Sequence, residues 1–540
     1  MRTQWKINGI MVLLWFMGIS TAYGALGNAL TSTNQLIQNA VMTFNDYAET
    51  VATNPAGMMR LEPGMHFSIG GHLINFRLQW EGSFGGDGSA DQADKNIGKK
   101  QTETSLPIEL LPLETGGFLT APSFEFAKRN DDDAWGFAFK PTFAAAMKWD
   151  RDWAGKDIVQ DVTLVIVGLN VNYATDLDEN NHIAFGVTHH IPYFDYRRDG
   201  IDLNLDNPLV LEGVTDYVNE LTLGLANLLP EGFNLDTIVG GVMGFISDNM
   251  GLFGLSNPIR LNETIHLYGN GGGQNFNVAY LGQYENFFLA MHYQSSFKLT
   301  ILGEGKFSIN PLAEAGLILA DTAISKAFPA MSNGLNLKLN DMSFKANVGL
   351  PWYMETALGW KDDPENPTIE GEVGYAEIGF SMFSTLSADL PQRASLLKIV
   401  GFEEDNISLP FQLQDIQVYR AGGAYHFNEK YLIRGGAEKT TSLTDPRLMS
   451  AIIPIGEVVK LGVGGEYRMS NTDSISFGFA TIILMPTTTN SDVRNNARAG
   501  VFQDPFNGTW QGLVGAASVT YNFKFGGVKE FCDWATDSET

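Results

Sequence analysis

Two stretches of this chain alternate apolar and polar residues with a period of two, and their polar sets carry charge. From Leu289 to Leu299, the residues Leu289, Met291, Tyr293, Phe297 and Leu299 share one parity, while His292, Gln294, Ser296 and Lys298 share the other. Val459, Leu461, Val463, Tyr467 and Met469 alternate in the same way against Lys460, Glu466 and Arg468. Successive side chains of a strand point to opposite faces, so each stretch meets an apolar medium on one side and a polar one on the other. Charges at Lys460, Glu466 and Arg468 do not fit the core of a soluble sandwich. They suit the water-filled lumen of a membrane barrel.

The N-terminus gives an address. Arg2 and Lys6 precede an apolar stretch from Ile10 to Ile19, and Ala22-Tyr23-Gly24 offers small residues where a signal peptidase reads, so 1–24 reads as a cleaved signal peptide. Beyond it no apolar run approaches the roughly 18 residues of a spanning helix, which excludes a helical membrane protein. No Pro/Ser-rich linker divides the remainder, so it reads as one unit. The formal charge of −26 argues against a nucleic-acid partner and suits a surface bathed in divalent cations. Cys532 is the only cysteine, so stability is expected from sheet pairing and not from intrachain disulfides.

Strands are predicted over 65–80, 117–128, 134–148, 161–174, 181–193, 275–285, 287–308, 343–361, 369–386, 413–427, 430–441, 456–469, 473–486 and 511–525. That is about 14, an even number as closure of a single-chain barrel requires. Asn130-Asp131-Asp132-Asp133, Asn428-Glu429 and Ser470-Asn471-Thr472 read as short periplasmic turns. Trp80, Trp149, Trp360, Phe427, Tyr467 and Phe525 lie near strand ends and are expected in the interfacial girdles. The fold class is therefore all-β: a transmembrane antiparallel barrel over 65–525, with a tail at 526–540.

Three segments break the strand rhythm. Ahead of the first strand, 25–64 holds a capping-box pattern at Ser32 and Gln35, then Leu36, Ile37, Ala40, Val41 and Phe44 at helical spacing. This predicts a short helix that ends at Thr53-Asn54-Pro55-Ala56-Gly57, in a piece of the right size to plug a barrel. Between strands, 195–274 repeats apolar residues at helical spacing, with Leu221, Leu225 and Leu228 in one run and Val242, Phe245 and Ile246 in the next. Two such helices in an external loop either dock a hydrophobic ligand or pack on each other over the mouth. Within the third strand, Lys140-Pro141-Thr142 places a residue with no N–H donor, which belongs at an edge, a bulge or a gap in pairing.

Several of these blocks resemble one family. Asn54-Pro55-Ala56-Gly57, followed by Met58-Met59-Arg60-Leu61 and the strand opening His66-Phe67-Ser68-Ile69-Gly70-Gly71, resembles the hatch signature of the long-chain fatty-acid channels of bacterial outer membranes. That family also includes aromatic-hydrocarbon channels. Leu289 to Ser296 with Gly303, then Asn347-Val348-Gly349-Leu350-Pro351, then Tyr431 to Gly436 with Asp445-Pro446, resemble its later blocks in the same order. The resemblance implies passive uptake of hydrophobic molecules, long-chain fatty acids before aromatic hydrocarbons or alkanes. It implies a hatch at Asn54, Pro55, Ala56 and Gly57, a lateral gate at Pro141, and capture by the helical loop. It also implies a monomer that meets outer-membrane lipid, lipopolysaccharide and the outer-membrane assembly machinery, with no cofactor or metal. In one respect the chain departs from the family pattern, because a tail follows the last strand where relatives end on an aromatic residue.

Other classes fare less well. Ser295 and His292 fall on opposite faces of one strand and cannot form a dyad, and His189-His190 diverge in the same way, so no enzyme is expected. Asp199, Asp202, Asn204 and Asp206 lack the glycine and terminal glutamate of a calcium loop. A structural or adhesive surface barrel that moves nothing is the alternative outside transport.

Overall fold

The computed structural model of the protein describes residues 38, 40–44, 46–84, 98–103, 119–148, 160–199, 202–203, 259–260, 262–309, 342–383, 385–389, 406–410, 413–445, 455–489 and 506–526. Fourteen antiparallel strands form one closed barrel. We number them β1 (Gly64–Phe84), β2 (Gly98–Glu103 and Leu119–Arg129), β3 (Asp133–Lys148), β4 (Asp161–Asp178), β5 (Asn181–Asp199), β6 (Asn262–Tyr284) and β7 (Phe287–Gln294 and Phe297–Ile309). The circuit continues with β8 (Met342–Leu350 and Tyr353–Lys361), β9 (Ile369–Ile378 and Thr385–Asp389), β10 (Asn406–Pro410 and Ile416–His426), β11 (Tyr431–Thr440), β12 (Val458–Arg468), β13 (Asp473–Thr489) and β14 (Phe506–Phe525). Strand β14 pairs with β1 from Met65↔Phe525 to Phe84↔Phe506, which closes the ring and leaves no edge.

The alternation of the sequence becomes two faces. Outward residues include Val171, Phe185, Val187, Leu358, Val373, Leu461 and Val463, all exposed, while Glu355, Glu370, Arg420, Arg434, Lys460 and Glu466 point inward and are buried. An exposed apolar belt that runs round the molecule is stable only against hydrocarbon. Trp360, Phe427 and Tyr467 stand exposed at one end of it, and Tyr467 stacks on Tyr431 at 5.0 Å between ring centres. Phe525 joins an aromatic cluster with Ile69 and Phe523 at the seam. Trp80 departs from the girdle expectation. It shares the parity of the inward His66 and Ser68, is fully buried, and packs on Trp510 with ring centres 6.0 Å apart.

Two further expectations are corrected. The predicted interruption at 195–274 is too long, because β5 runs on to Asp199 and β6 starts at Asn262, with the two paired as far as Asp199↔Thr264. The alternation across Leu289–Leu299 does slip, because Ser295 and Ser296 break β7. Before the break Met291 and Tyr293 face outward and exposed, but after it Leu299 and Ile301 are buried and Leu302 is 59% exposed. A one-residue change of phase moves a whole apolar set to the other face, so Leu299 belongs to the interior. The breaks in β8 at Pro351-Trp352 and in β9 around the 3-10 turn Phe380–Phe383 neighbour this one in the sheet.

Candidate functional site

The chain ahead of β1 lies against inward-facing side chains on many strands. Gln38 is helical, but Ala40–Phe44 are irregular, so the predicted helix does not run through Phe44. A single turn, α1 (Thr50–Thr53), is followed by a 3-10 helix, Pro55–Arg60. Asn54 explains the join. Its extended backbone (φ −139°, ψ 94°) suits a residue before proline, and its Oδ1 accepts from Ala56 N–H at 3.3 Å, which caps the new helix. Pro55 takes the first helical position, where its missing donor does no harm. Gly57 passes so close to the Thr50 hydroxyl that a Cβ would collide with it.

This segment meets two unlike walls. On one side, Ala134, Ala174, Ala184 and Ala279 lie in register across β3, β4, β5 and β6, and Leu281, Ala290 and Ala357 continue a row across β6, β7 and β8. All are buried in one cluster with Met42, Ala48, Val51, Ala52, Ala56, Met58, Met59 and Leu61. Small wall residues leave room for the segment, and full burial of a residue such as Met58 is worth about 1.5–3 kcal/mol. Polar contacts here are few. Asn172 Nδ2 donates to Val51 O at 3.1 Å, Asn54 Nδ2 to Tyr280 O at 3.3 Å, and Arg129 Nε to Met59 O at 3.1 Å.

The opposite wall is ionic. Arg420 of β10 bridges Glu355 of β8 and Glu438 of β11, the latter at 2.9 Å, and Lys460 Nζ of β12 lies 3.5 Å from Glu438. Arg434 bridges Glu370 at 3.3 Å and Glu466 at 3.4 Å, and Lys361 Nζ lies 3.6 Å from Glu370. The earlier half of the segment plugs into this lattice. Arg434 Nη1 donates to Gln38 Oε1 at 2.8 Å, Tyr47 donates its hydroxyl proton to Glu466, and Glu372 accepts from Met42 N–H at 2.9 Å and Thr43 N–H at 2.7 Å. Asp46 is exposed to solvent yet held below the ordinary carboxylate range by Lys361 first, and then by Arg60, Arg468 and Arg434. Burial, with Glu466 beside it, pushes the Tyr47 phenol up.

Farther from the segment the inner faces turn apolar. Phe194 of β5, Leu299 and Ile301 of β7, and Phe344, Val348 and Leu350 of β8 are buried, and Phe194 meets Phe344 edge to face at 6.4 Å. Sequence parity missed this lining because the slip at Ser295-Ser296 hid it.

The wall is split between β2 and β3. Among the described residues, their ladder covers only Phe124–Arg129 opposite Ala134–Phe139, whereas β3 stays paired with β4 to its end at Lys148↔Asp161. Proline stands on both margins, Pro122 in β2 and Pro141 in β3, each lacking the donor a ladder needs. The predicted interruption at Pro141 is a bulge, with a register shift between Pro141 and Phe143. The extra residue, Thr142, donates to Ile166 O at 3.0 Å and sits 3.1 Å from His190 Nδ1. His190 Nε2 is 3.0 Å from Asn275 Oδ1, and Asn275 Nδ2 donates to Ser295 O at 3.0 Å. A hydrogen-bonded chain therefore links the β3 bulge to the β7 break through β5 and β6. Asn54, Pro55, Ala56 and Gly57 are thus placed in the alanine-lined half and Pro141 at the split, while Leu221, Leu225, Leu228, Val242, Phe245 and Ile246 lie outside the described residues.

Comparison with known proteins agrees with this architecture. A crystal structure of a Pseudomonas aeruginosa FadL homologue is similar at a TM-score of 0.65, with 13% identity, over 94% of this chain and 100% of that one. The Pseudomonas putida toluene transporter TodX (TM-score 0.55, 11% identity, 93% and 99% covered) and the Ralstonia pickettii toluene transporter TbuX (0.53, 12%, 91% and 97%) share the fold. No curated protein matches the chain. The family model described as outer membrane protein transport protein (OMPP1/FadL/TodX) matches residues 37–525. A closed barrel with a hydrocarbon-compatible exterior and this match together place the chain in the OMPP1/FadL/TodX family of outer-membrane transport proteins for hydrophobic molecules.

Proposed function

We propose that the protein takes up long-chain fatty acids across the outer membrane by diffusion. The ligand is captured at the apolar loop positions Leu221, Leu225, Leu228, Val242, Phe245 and Ile246 and passes to the apolar inner faces of β5, β7 and β8. The segment that contains Asn54, Pro55, Ala56 and Gly57 acts as a hatch across the lumen, facing the periplasm. Release is sideways, through the wall between β2 and β3 beside Pro141. The split ladder at Phe124/Phe139, with proline on each margin, is the observation that carries this reading. An opening there lets an apolar molecule pass into the bilayer without crossing the ionic lattice. No energy source is required, because apolar surface returns about 25 cal/mol per Å² on leaving water, several kcal/mol for a long acyl chain. The apolar lining from Phe194 to Leu350 supports a hydrophobic ligand.

Uptake of radiolabelled oleate and of toluene by a deletion host, with and without the protein, tests the reading. Oleate uptake that depends on the protein is expected. Toluene uptake alone would assign an aromatic-hydrocarbon channel, and equal uptake in both strains would remove transport in favour of a structural or adhesive barrel. Deleting 25–57 is expected to alter ligand affinity with the barrel still folded, and loss of the barrel would contradict the hatch.

A further inference from the structure

At the end of the barrel that carries the short turns, outward aromatic residues form a girdle, and one sector of it is covered. Elsewhere round the ring these side chains stand open: Trp135, Phe185, Phe287, Tyr425 and Tyr431 are each at least 43% exposed. At the seam of β14 with β1 the outward parity holds Ile69, Phe523 and Phe525, and none of these is more than 9% exposed. Packing side by side does not account for the contrast. Tyr431 stays half exposed although it stacks on Tyr467 at 5.0 Å, whereas Phe525 meets Phe67 and Phe523 edge to face at the longer distances of 6.0 and 5.8 Å. Side chains stand nearly perpendicular to a sheet, so neighbours cover a ring's flanks and leave its tip; a buried tip means that something lies over the patch. The ladder carries this patch from Phe67 to Phe126 and from Ile69 to Phe124, so it reaches the last rung of the split, Phe124↔Phe139.

We propose that residues 527–540 fold back along the outside of the barrel and seat Phe531 and Trp534 on this patch, so that the chain's own tail is the cover. Three observations single out this occupant. The segment follows directly on Phe525, the last residue of β14, and so starts beside the site it fills. Its reach suffices. Strands rise about 3.3 Å per residue, which sets Ile69, paired with Tyr521, about 13 Å above Phe525, and the chain from Gly526 to Phe531 spans up to about 17 Å. Its chemistry also complements the surface. Val528, Phe531 and Trp534 recur every third residue, with the acidic Glu530, Asp533, Asp537 and Glu539 between and beyond them, and Lys128 stands on the outward parity at the edge of the patch, opposite Met65. The proposal does not depend on what the barrel transports. It places a polypeptide where the rest of the girdle meets lipid headgroups, at the foot of the split between β2 and β3.

Limited proteolysis of the full chain in detergent tests the seat, because trypsin cuts after Lys529. Phe531→Ser with Trp534→Ser changes no strand residue and is expected to speed that cut at least about tenfold. Phe67→Ala, on the barrel side, is expected to speed it as well, and the tail variant decides alone should Phe67→Ala not fold. Equal rates in the parent and the tail variant overturn the proposal. Location is read by pulsed electron spin resonance between a nitroxide on the native Cys532 and a second one on Asn471→Cys, in the turn beside the seam, or on Glu365→Cys, in the turn across the ring. A narrow distance distribution is expected, shorter to position 471 than to position 365, and at least about twofold broader once Phe531 and Trp534 are replaced. A broad distribution in the parent, or a narrow one that the tail substitutions leave unchanged, overturns the seat. Protection of Lys529 that falls on dilution would make a second copy the cover, and protection that requires added phospholipid would make it lipid. Either result removes the intrachain seat.

Discussion

The two walls that hold the luminal segment are built from opposite materials. From β3 to β8 the barrel presents alanines in register, and from β8 to β12 it presents paired charges over a row of glycines. The apolar wall holds by shape, so its strength depends on filled volume and scarcely on salt or pH. The ionic wall holds by direction, because each carboxylate is aimed at a cation or at an amide of the segment. Buried pairs of this kind add little net stability, since desolvation offsets most of their attraction, but they punish the loss of one partner.

The largest expected effect comes from unbalancing the ionic wall. Arg420→Ala strands Glu355 and Glu438, which Lys460 then answers only in part, and is expected to lower barrel stability by about 3–5 kcal/mol, read as the urea midpoint in detergent. A loss below about 1 kcal/mol would mean that water already screens the lattice. On the other wall, Ala184→Leu crowds a fully buried position and is expected to cost about 1–3 kcal/mol. Its exchange should rise more over Val51–Met59 than over Gln38–Phe44, and a rise confined to the latter would erase the contrast between walls.

The smallest effect concerns acid. Asp46 has a folded pKa below its ordinary 3.8, so its attraction to Lys361 and the neighbouring arginines is fully present above that value and is lost only as pH falls beneath it. Amide exchange over 42–47 is therefore expected to show no Asp46-dependent change between about pH 7 and pH 5, and Asp46→Asn to remove only the change seen in stronger acid. A midpoint near neutrality that vanishes in Asp46→Asn would contradict that charge arrangement.

Much of the barrel was legible in the residues because period-two alternation is a local signal. All fourteen predicted strands overlap observed ones, and Leu461, Val463 and Tyr467 face outward against Lys460 and Glu466 as expected. What failed was phase. Ser295-Ser296 interrupts β7 without glycine or proline to announce it, so parity alone points Leu299 at the lipid, and Trp80 lies near a strand end but on the inward parity. The glycine row was invisible for a different reason. Gly359, Gly422, Gly436 and Gly462 lie far apart in the chain, and only the register of five strands brings them into one line around Glu372. The motif Asn54-Pro55-Ala56-Gly57 was readable as a helix boundary, since a cap, a proline and a glycine each carry a local conformational rule.

The central claim is that a hydrophobic molecule travels inside the barrel and leaves through its wall. Outer-membrane vesicles supplied with a photoactivatable long-chain fatty acid test it directly, by mapping which peptides are labelled after illumination. Labelling is expected on the inner faces at Leu299, Ile301 and Val348 and on the margins of the split at Phe124 and Phe139, with both reduced by excess oleate. Labelling confined to the lipid-facing Met291, Leu358 and Val373, and unaffected by oleate, would contradict it.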